Sequence, residues 1–225
     1  MRVFLFLIFF FISNRAIAQQ TIFNVPSANI TEKNKIFLQH QSSVRANGPK
    51  KFWGTTNYAA YGLGNNAELD ATLFNLNSPN SNNATISLGS KITLPLMKSP
   101  YQPKLTTGFS VPISMQRQGV GHWFYSSGSF VIPETKTRLT AGINNGTKQI
   151  FGRNVTCFIG GFEQELNKDL SLMADWYSGN HDLGMSAFGF SYALPREFML
   201  YAGYQIPNSK RVMRNSAVIE VAKEF

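Results

Sequence analysis

One cysteine in 225 residues rules out an internal disulfide, so Cys157 cannot staple the chain. Histidine is scarce as well: His40, His122 and His181 are the whole set, and no spacing among them suggests a structural zinc site. No apolar run beyond residue 18 approaches the roughly 20 residues that a membrane-crossing helix needs, which excludes a helical inner-membrane protein. Helical periodicity is also missing after residue 35. What remains is a chain that is soluble or that crosses a membrane as strands. No nucleotide-binding loop is present, because Gly160-Gly161 lacks a strand-to-helix context and reads as a strand kink. No cofactor is expected.

The beginning of the chain has a different character. Met1-Arg2, an apolar run from Val3 to Ile12, polar Ser13-Asn14-Arg15 and the small triplet Ala16-Ile17-Ala18 have the layout of a secretory signal peptide, residues 1–18, with cleavage expected after Ala18. The apolar run is too short for a retained anchor, and no cysteine follows it to take a lipid. The formal charge of +9 falls to +7 once Arg2 and Arg15 leave, with 19 basic residues against 12 acidic. An exported basic chain meets phosphate on membrane lipid and lipopolysaccharide rather than on nucleic acid.

From residue 35 to the end, segments of about ten residues alternate apolar and polar side chains. The expected strands are 35–45, 52–62, 67–76, 84–96, 104–114, 122–132, 137–144, 154–166, 170–178, 185–194, 198–207 and 215–225. Their connections alternate. Tight turns at Gly64-Asn65-Asn66, 99–103, Pro133-Glu134-Thr135, Asn167-Lys168-Asp169 and Pro195-Arg196-Glu197 take turns with longer polar loops at 47–51, 77–83, 116–121, 144–152, 179–184 and 208–215. Short turns on one side and longer loops on the other characterise transmembrane up-and-down β-barrels, with both chain ends on the short-turn side. A soluble sandwich has no reason for this alternation. The fold expected is therefore an all-β, antiparallel transmembrane barrel over 35–225, preceded by a segment 19–34 that lies at the periplasmic mouth or enters the lumen as a plug.

A two-residue period assigns faces. Leu105, Thr107, Phe109, Val111 and Ile113 belong to lipid, as do Ile86, Leu88, Ile92, Leu94, Leu69, Ala71 and Leu73. Phe52, Trp53, Trp123, Phe124, Trp176, Tyr192 and Phe198 lie toward strand ends, as interfacial aromatic girdles do. The final strand puts Ala217, Ile219, Val221 and Phe225 on one face, and its terminal Phe225 resembles the signal by which outer-membrane barrels are received by the barrel-assembly machinery. Lys223 interrupts that pattern. Val25-Pro26-Ser27-Ala28, the turn from Tyr61 to Leu69 and Asp175-Trp176-Tyr177-Ser178-Gly179-Asn180-His181 resemble uncharacterised, transporter-like outer-membrane barrels across the mature chain. That resemblance implies an integral protein of the Gram-negative outer membrane and names no cargo.

Inward positions hold Glu68, Asp70, Glu163, Glu165, Asp175 and Glu220 against Lys91 and Arg138. Such groups set the field of a water-filled conduit, or else they pair to fill the barrel. The leading expectation is a narrow channel for small polar solutes. A second is lipid hydrolysis: His40 and Ser42 share one face of the first strand with Asn57 on its neighbour, and His40-Gln41-Ser42 resembles the site of outer-membrane phospholipase barrels. A third is a surface-adhesion or structural barrel, although its loops are short for docking. His122 is expected at a strand start, and Asn180 to Asp182 in a solvated loop able at most to offer a loose cation site.

Overall fold

A computed structural model describes residues 20–45, 52–76, 84–116 and 119–225. The signal-peptide reading of 1–18 lies outside these residues, as do the loops 46–51 and 77–83. Twelve antiparallel strands close on themselves, each paired with its sequence neighbours and the first with the last. They are β1 (Ile36–Arg45), β2 (Phe52–Gly64), β3 (Ala67–Leu76), β4 (Thr85–Pro95), β5 (Lys104–Ser114), β6 (Trp123–Ile132), β7 (Thr137–Gly146), β8 (Val155–Glu165), β9 (Leu170–Tyr177), β10 (Met185–Ala193), β11 (Phe198–Pro207) and β12 (Ser216–Glu224). Closure is made by β1 against β12, from Phe37 opposite Glu224 to Val44 opposite Ala217. Such a cylinder leaves no unpaired sheet edge, as a structure in hydrocarbon requires.

The tight β2–β3 turn places Asn65 and Asn66 at positive φ, a conformation asparagine tolerates better than most residues. Between β7 and β8 the chain forms one short helical turn, α1 (Lys148–Phe151), which folds inward: Gln149, Ile150 and Phe151 are buried, and the Gln149 carbonyl accepts from the Thr85 hydroxyl at 3.0 Å. The connection between β7 and β8 therefore closes over the lumen rather than projecting from it.

The outer surface carries the apolar residues of alternate positions, with Leu88, Phe109 and Ile219 each about half exposed. Trp53, Phe124, Trp176, Tyr192 and Phe198 face outward in this way. Trp123 does not. Adjacent strand residues point to opposite faces, so Phe124 outward requires Trp123 inward, where its ring meets Phe74, Tyr125 and Phe151 at centroid distances of 6.2, 5.5 and 6.2 Å. The side chain of Phe52 lies outside the described part. Lys223, which interrupts the apolar face of β12, sets its ammonium over the rings of Phe198 and Phe225, at 4.8 and 4.6 Å from their centroids. Cation–π contact lets a charge occupy that aromatic face.

The lumen is filled from the N-terminal side. Residues 20–34 enter the cylinder, and Ile22, Phe23 and Val25 are almost fully buried. A reversal forms where the Ile22 amide donates to the Val25 carbonyl at 2.8 Å and the Ser27 amide to the Gln20 carbonyl at 3.0 Å. At its tip a Cβ on Gly161 of β8 would stand 2.1 Å from Ile22 Cδ1, so the missing side chain makes room for the inserted one.

Candidate functional site in the lumen

Two sets of wall residues hold the inserted segment. Asp175 on β9 accepts three successive backbone N–H groups through one oxygen: Phe23 at 2.9 Å, Val25 at 2.7 Å, and Asn24 between them. Such a nest of amides turned toward one carboxylate is a strong, charge-assisted arrangement. Tyr177 and Gln205 add hydrogen bonds to Asn24, at 3.3 Å each. Lower in the lumen, Glu68 on β3 accepts from the Thr31 amide at 2.7 Å and from Gln20 Nε2 at 3.1 Å. Its other oxygen meets Lys91 Nζ at 3.1 Å and the Tyr58 hydroxyl at 3.2 Å. Lys91 also donates to the Gln20 side-chain carbonyl. Glu68 and Lys91 are essentially inaccessible, so their charges survive burial only because each has several partners.

The remaining charged positions divide by depth. Glu220 is fully buried and accepts from Gln39 Nε2 at 2.5 Å. Arg138 and Glu163 approach at 3.7 Å, and Arg138 also donates to Asn29 of the inserted segment at 3.1 Å. Glu165 stands at the short-turn rim, exposed and paired with Lys136 at 2.6 Å, rather than in the lumen. Asp70 differs from all of these: among the described residues it makes no hydrogen bond or ion pair.

Above the segment's tip a cavity of about 400 Å³ remains, bounded outward by Ile150, Leu183, Val212 and Arg214. Its wall mixes amides and hydroxyls, such as Gln39, Gln41, Thr55 and Asn75, with the rings of Tyr58, Phe74, Trp123 and Tyr125. Loop 178–184 helps roof it. His181, expected in solvent, is instead buried between the rings of Phe151 and Tyr177, at 5.3 and 6.2 Å, with Nε2 2.8 Å from the Ser178 carbonyl. Burial lowers its pKa below the ordinary value of 6.5, and burial also raises that of neighbouring Asp182. His122 stays exposed, 2.7 Å from Asn145 Oδ1.

On the outer face, His40, Ser42 and Asn57 do come together. His40 Nδ1 lies 2.8 Å from Asn57 Oδ1, and Nε2 lies 3.0 Å from Ser42 Oγ. With Nδ1–H donating to the amide oxygen, Nε2 is free to accept the serine proton. Trp53 Nε1–H donates to Ser42 Oγ at 3.4 Å.

The sequence reading missed Trp123, Tyr58 and the buried roof. The alternation Trp123-Phe124-Tyr125 carried the signal for the first, since only one of two adjacent rings can face lipid.

No family model and no curated protein matches the chain. Among solved structures it resembles the NanC porin, with 13% identity over 84% of this chain and 98% of that one and a TM-score of 0.56. It also resembles the KdgM porin in complex with disordered oligogalacturonate, with 11% identity over 85% and 98% and a TM-score of 0.54. A COG4313 outer-membrane channel from Pseudomonas putida F1 aligns with 11% identity over 85% and 95%, at a TM-score of 0.47. The chain thus has the fold of outer-membrane porin-like barrels.

Proposed function

We propose that the chain is an integral outer-membrane conduit of a Gram-negative bacterium, exported through a cleaved signal, that admits small polar solutes and is held closed by residues 20–34. The observation that carries this reading is the polar, aromatic-walled cavity inside a closed cylinder, stopped from the short-turn side by a segment tied through hydrogen bonds. Ile22, Phe23 and Val25 also pack into the apolar cluster shared with Phe37, Tyr177 and Tyr201 of the wall, so opening requires the segment to leave apolar as well as polar partners. Lipid and lipopolysaccharide surround the barrel in this reading, and the strand ending in Phe225 presents it to the assembly machinery. Glu68, Asp175 and Lys91 hold the plug; Asp70 and Arg138 contribute field along the path. Planar-bilayer recordings of the refolded protein test it: discrete conductance steps are expected, more frequent in Asp175→Ala. Electrical silence of both proteins overturns the reading.

A second reading, acyl-ester hydrolysis at the outer face, is favoured by the His40–Ser42–Asn57 distances alone. Against it, β1 is hydrogen-bonded along both edges, so its amides are already committed and none is aimed at a developing oxyanion beside Ser42. Phospholipid vesicles that stay intact with the wild type end this reading; acyl release lost in Ser42→Ala would establish it.

A further inference from the structure

The cavity above the plug has an uneven chemistry that selects one class of solute. Following one row of Cα partners around the wall, Asp70 on β3 faces Gly89 on β4, which faces Ser110 on β5, which faces Trp123 on β6. In the neighbouring row Glu68 faces Lys91, Lys91 faces Gly108, and Gly108 faces Tyr125. Two strands of small or withdrawn side chains therefore separate a carboxylate on one side from two aromatic rings on the other. Tyr125 leans into this floor: a Cβ on Gly108 would lie 2.2 to 2.5 Å from its ring and hydroxyl.

Charge is not balanced here. Lys91 is the nearest cation to Asp70, but Glu68 and Gln20 hold its ammonium, and its side chain is 1% exposed. The buried pair neutralises itself, and Asp70 is left as a carboxyl of the cavity wall with no hydrogen bond or ion pair among the described residues. At the outer rim Asp182 and Arg214 supply one charge of each sign. Among the described residues that line the cavity, an anionic solute finds no free cation deeper than that rim. A neutral sugar would use the amides and rings and could donate a hydroxyl to Asp70, but it brings no positive charge to that carboxylate.

We propose that the cavity binds small organic cations, a protonated or quaternary ammonium on an apolar body, with the cationic group between Asp70 and the faces of Trp123 and Tyr125. The positive head gains both the carboxylate field and the ring quadrupoles. A cavity of about 400 Å³ suits a body of a few to a dozen heavy atoms. This ligand class rests on the conduit reading for its purpose, though not for its chemistry.

The test titrates the refolded full chain with benzyltrimethylammonium chloride at mildly alkaline pH, by calorimetry and by indole fluorescence. Glucose, galacturonate and sodium chloride serve as comparison solutes. Trp53→Phe and Trp176→Phe remove the outward indoles, so the signal reports Trp123. Saturable binding of the ammonium probe is expected, with neither sugar competing. Asp70→Asn should weaken it at least about tenfold and Asp70→Glu should keep it. If Asp70→Asn does not fold, Trp123→Leu takes its place with the same expected loss. Absence of binding to folded wild type, equal binding of glucose, or an affinity unmoved by these variants overturns the inference. Vesicle efflux separates the two proposals: ammonium binding with no efflux from either wild type or Asp175→Ala ends the conduit reading alone, and efflux without ammonium binding ends this one alone.

Discussion

Glu68 shows what a buried charge demands of its neighbours. Four groups reach its two oxygens: Lys91, Tyr58, Gln20 and the Thr31 amide. Removing the ammonium with Lys91→Met leaves the carboxylate in a site that water does not reach, at a cost of about 3–5 kcal/mol. That loss is expected as a lower midpoint in urea unfolding, followed by the heat-modifiable gel shift of the barrel. The double variant Glu68→Leu/Lys91→Met should recover part of it, because no unpaired charge is then buried. Equal midpoints for the single variant and wild type would mean that the pair is solvated and that the segment does not seal this level of the lumen. His181 behaves differently, because its neutral form is the one that fits between Phe151 and Tyr177. Its pKa is lower folded than unfolded, so the unfolded loop binds the extra proton as pH drops through 6.5, and the roof loses stability below that value. Protonation of Asp182 works in the opposite sense at lower pH, so the window for loosening lies just under 6.5. The protection factors of the amides in residues 178–184, exchange rates corrected for their intrinsic pH dependence, should fall between neutral pH and mild acid, and His181→Phe should remove that fall.

At the scale of elements, strands were legible and the segment before them was not. Every strand expected from alternation is present, with ends shifted by no more than two residues, because the two-residue period and the turn residues are local properties. The position of residues 20–34 depends on partners more than a hundred residues away, such as Asp175, and local patterning holds no record of such contacts. Pro26 and the loss of alternation mark this piece as no strand and leave two places for it, the periplasmic mouth and the lumen, without choosing between them. His181 was misplaced for the same reason: a polar loop reads as solvated until the rings that cover it are known. The outer-face group His40, Ser42 and Asn57 lies on one strand and its neighbour, a local relation, and its side chains are within hydrogen-bond distance of one another. If Asp175 is the main latch, Asp175→Ala leaves the Phe23, Asn24 and Val25 amides without their acceptor, each worth about 1.5–3 kcal/mol when the partner is charged. Limited proteolysis from the short-turn side should then cut within 20–34 while the barrel remains resistant. Protection equal to wild type would show that packing of Ile22 and Phe23 holds the segment unaided.

The whole molecule is an inside-out arrangement: polar and charged groups line the lumen around a smaller cluster of inward apolar side chains, and apolar residues cover its outer wall. In water that wall would be an aggregation surface far larger than a soluble monomer exposes, and in a bilayer it is the stabilising surface. The two settings make different demands on the same substitution. Leu88 lies mid-strand on β4, facing outward, and Ile36 lies at the short-turn end of β1, also facing outward. In hydrocarbon, lysine at Leu88 should cost about 2–4 kcal/mol, while lysine at Ile36 should cost about 0–1 kcal/mol because its ammonium reaches the interface. Surface burial alone cannot produce that gradient, since both side chains are about half exposed in the isolated barrel. Only a slab of low dielectric constant, positioned across the middle of the strands, makes depth matter. Folding titrations of the two variants in phospholipid vesicles measure the difference, and equal costs at both positions would remove the bilayer from the account of what stabilises this fold.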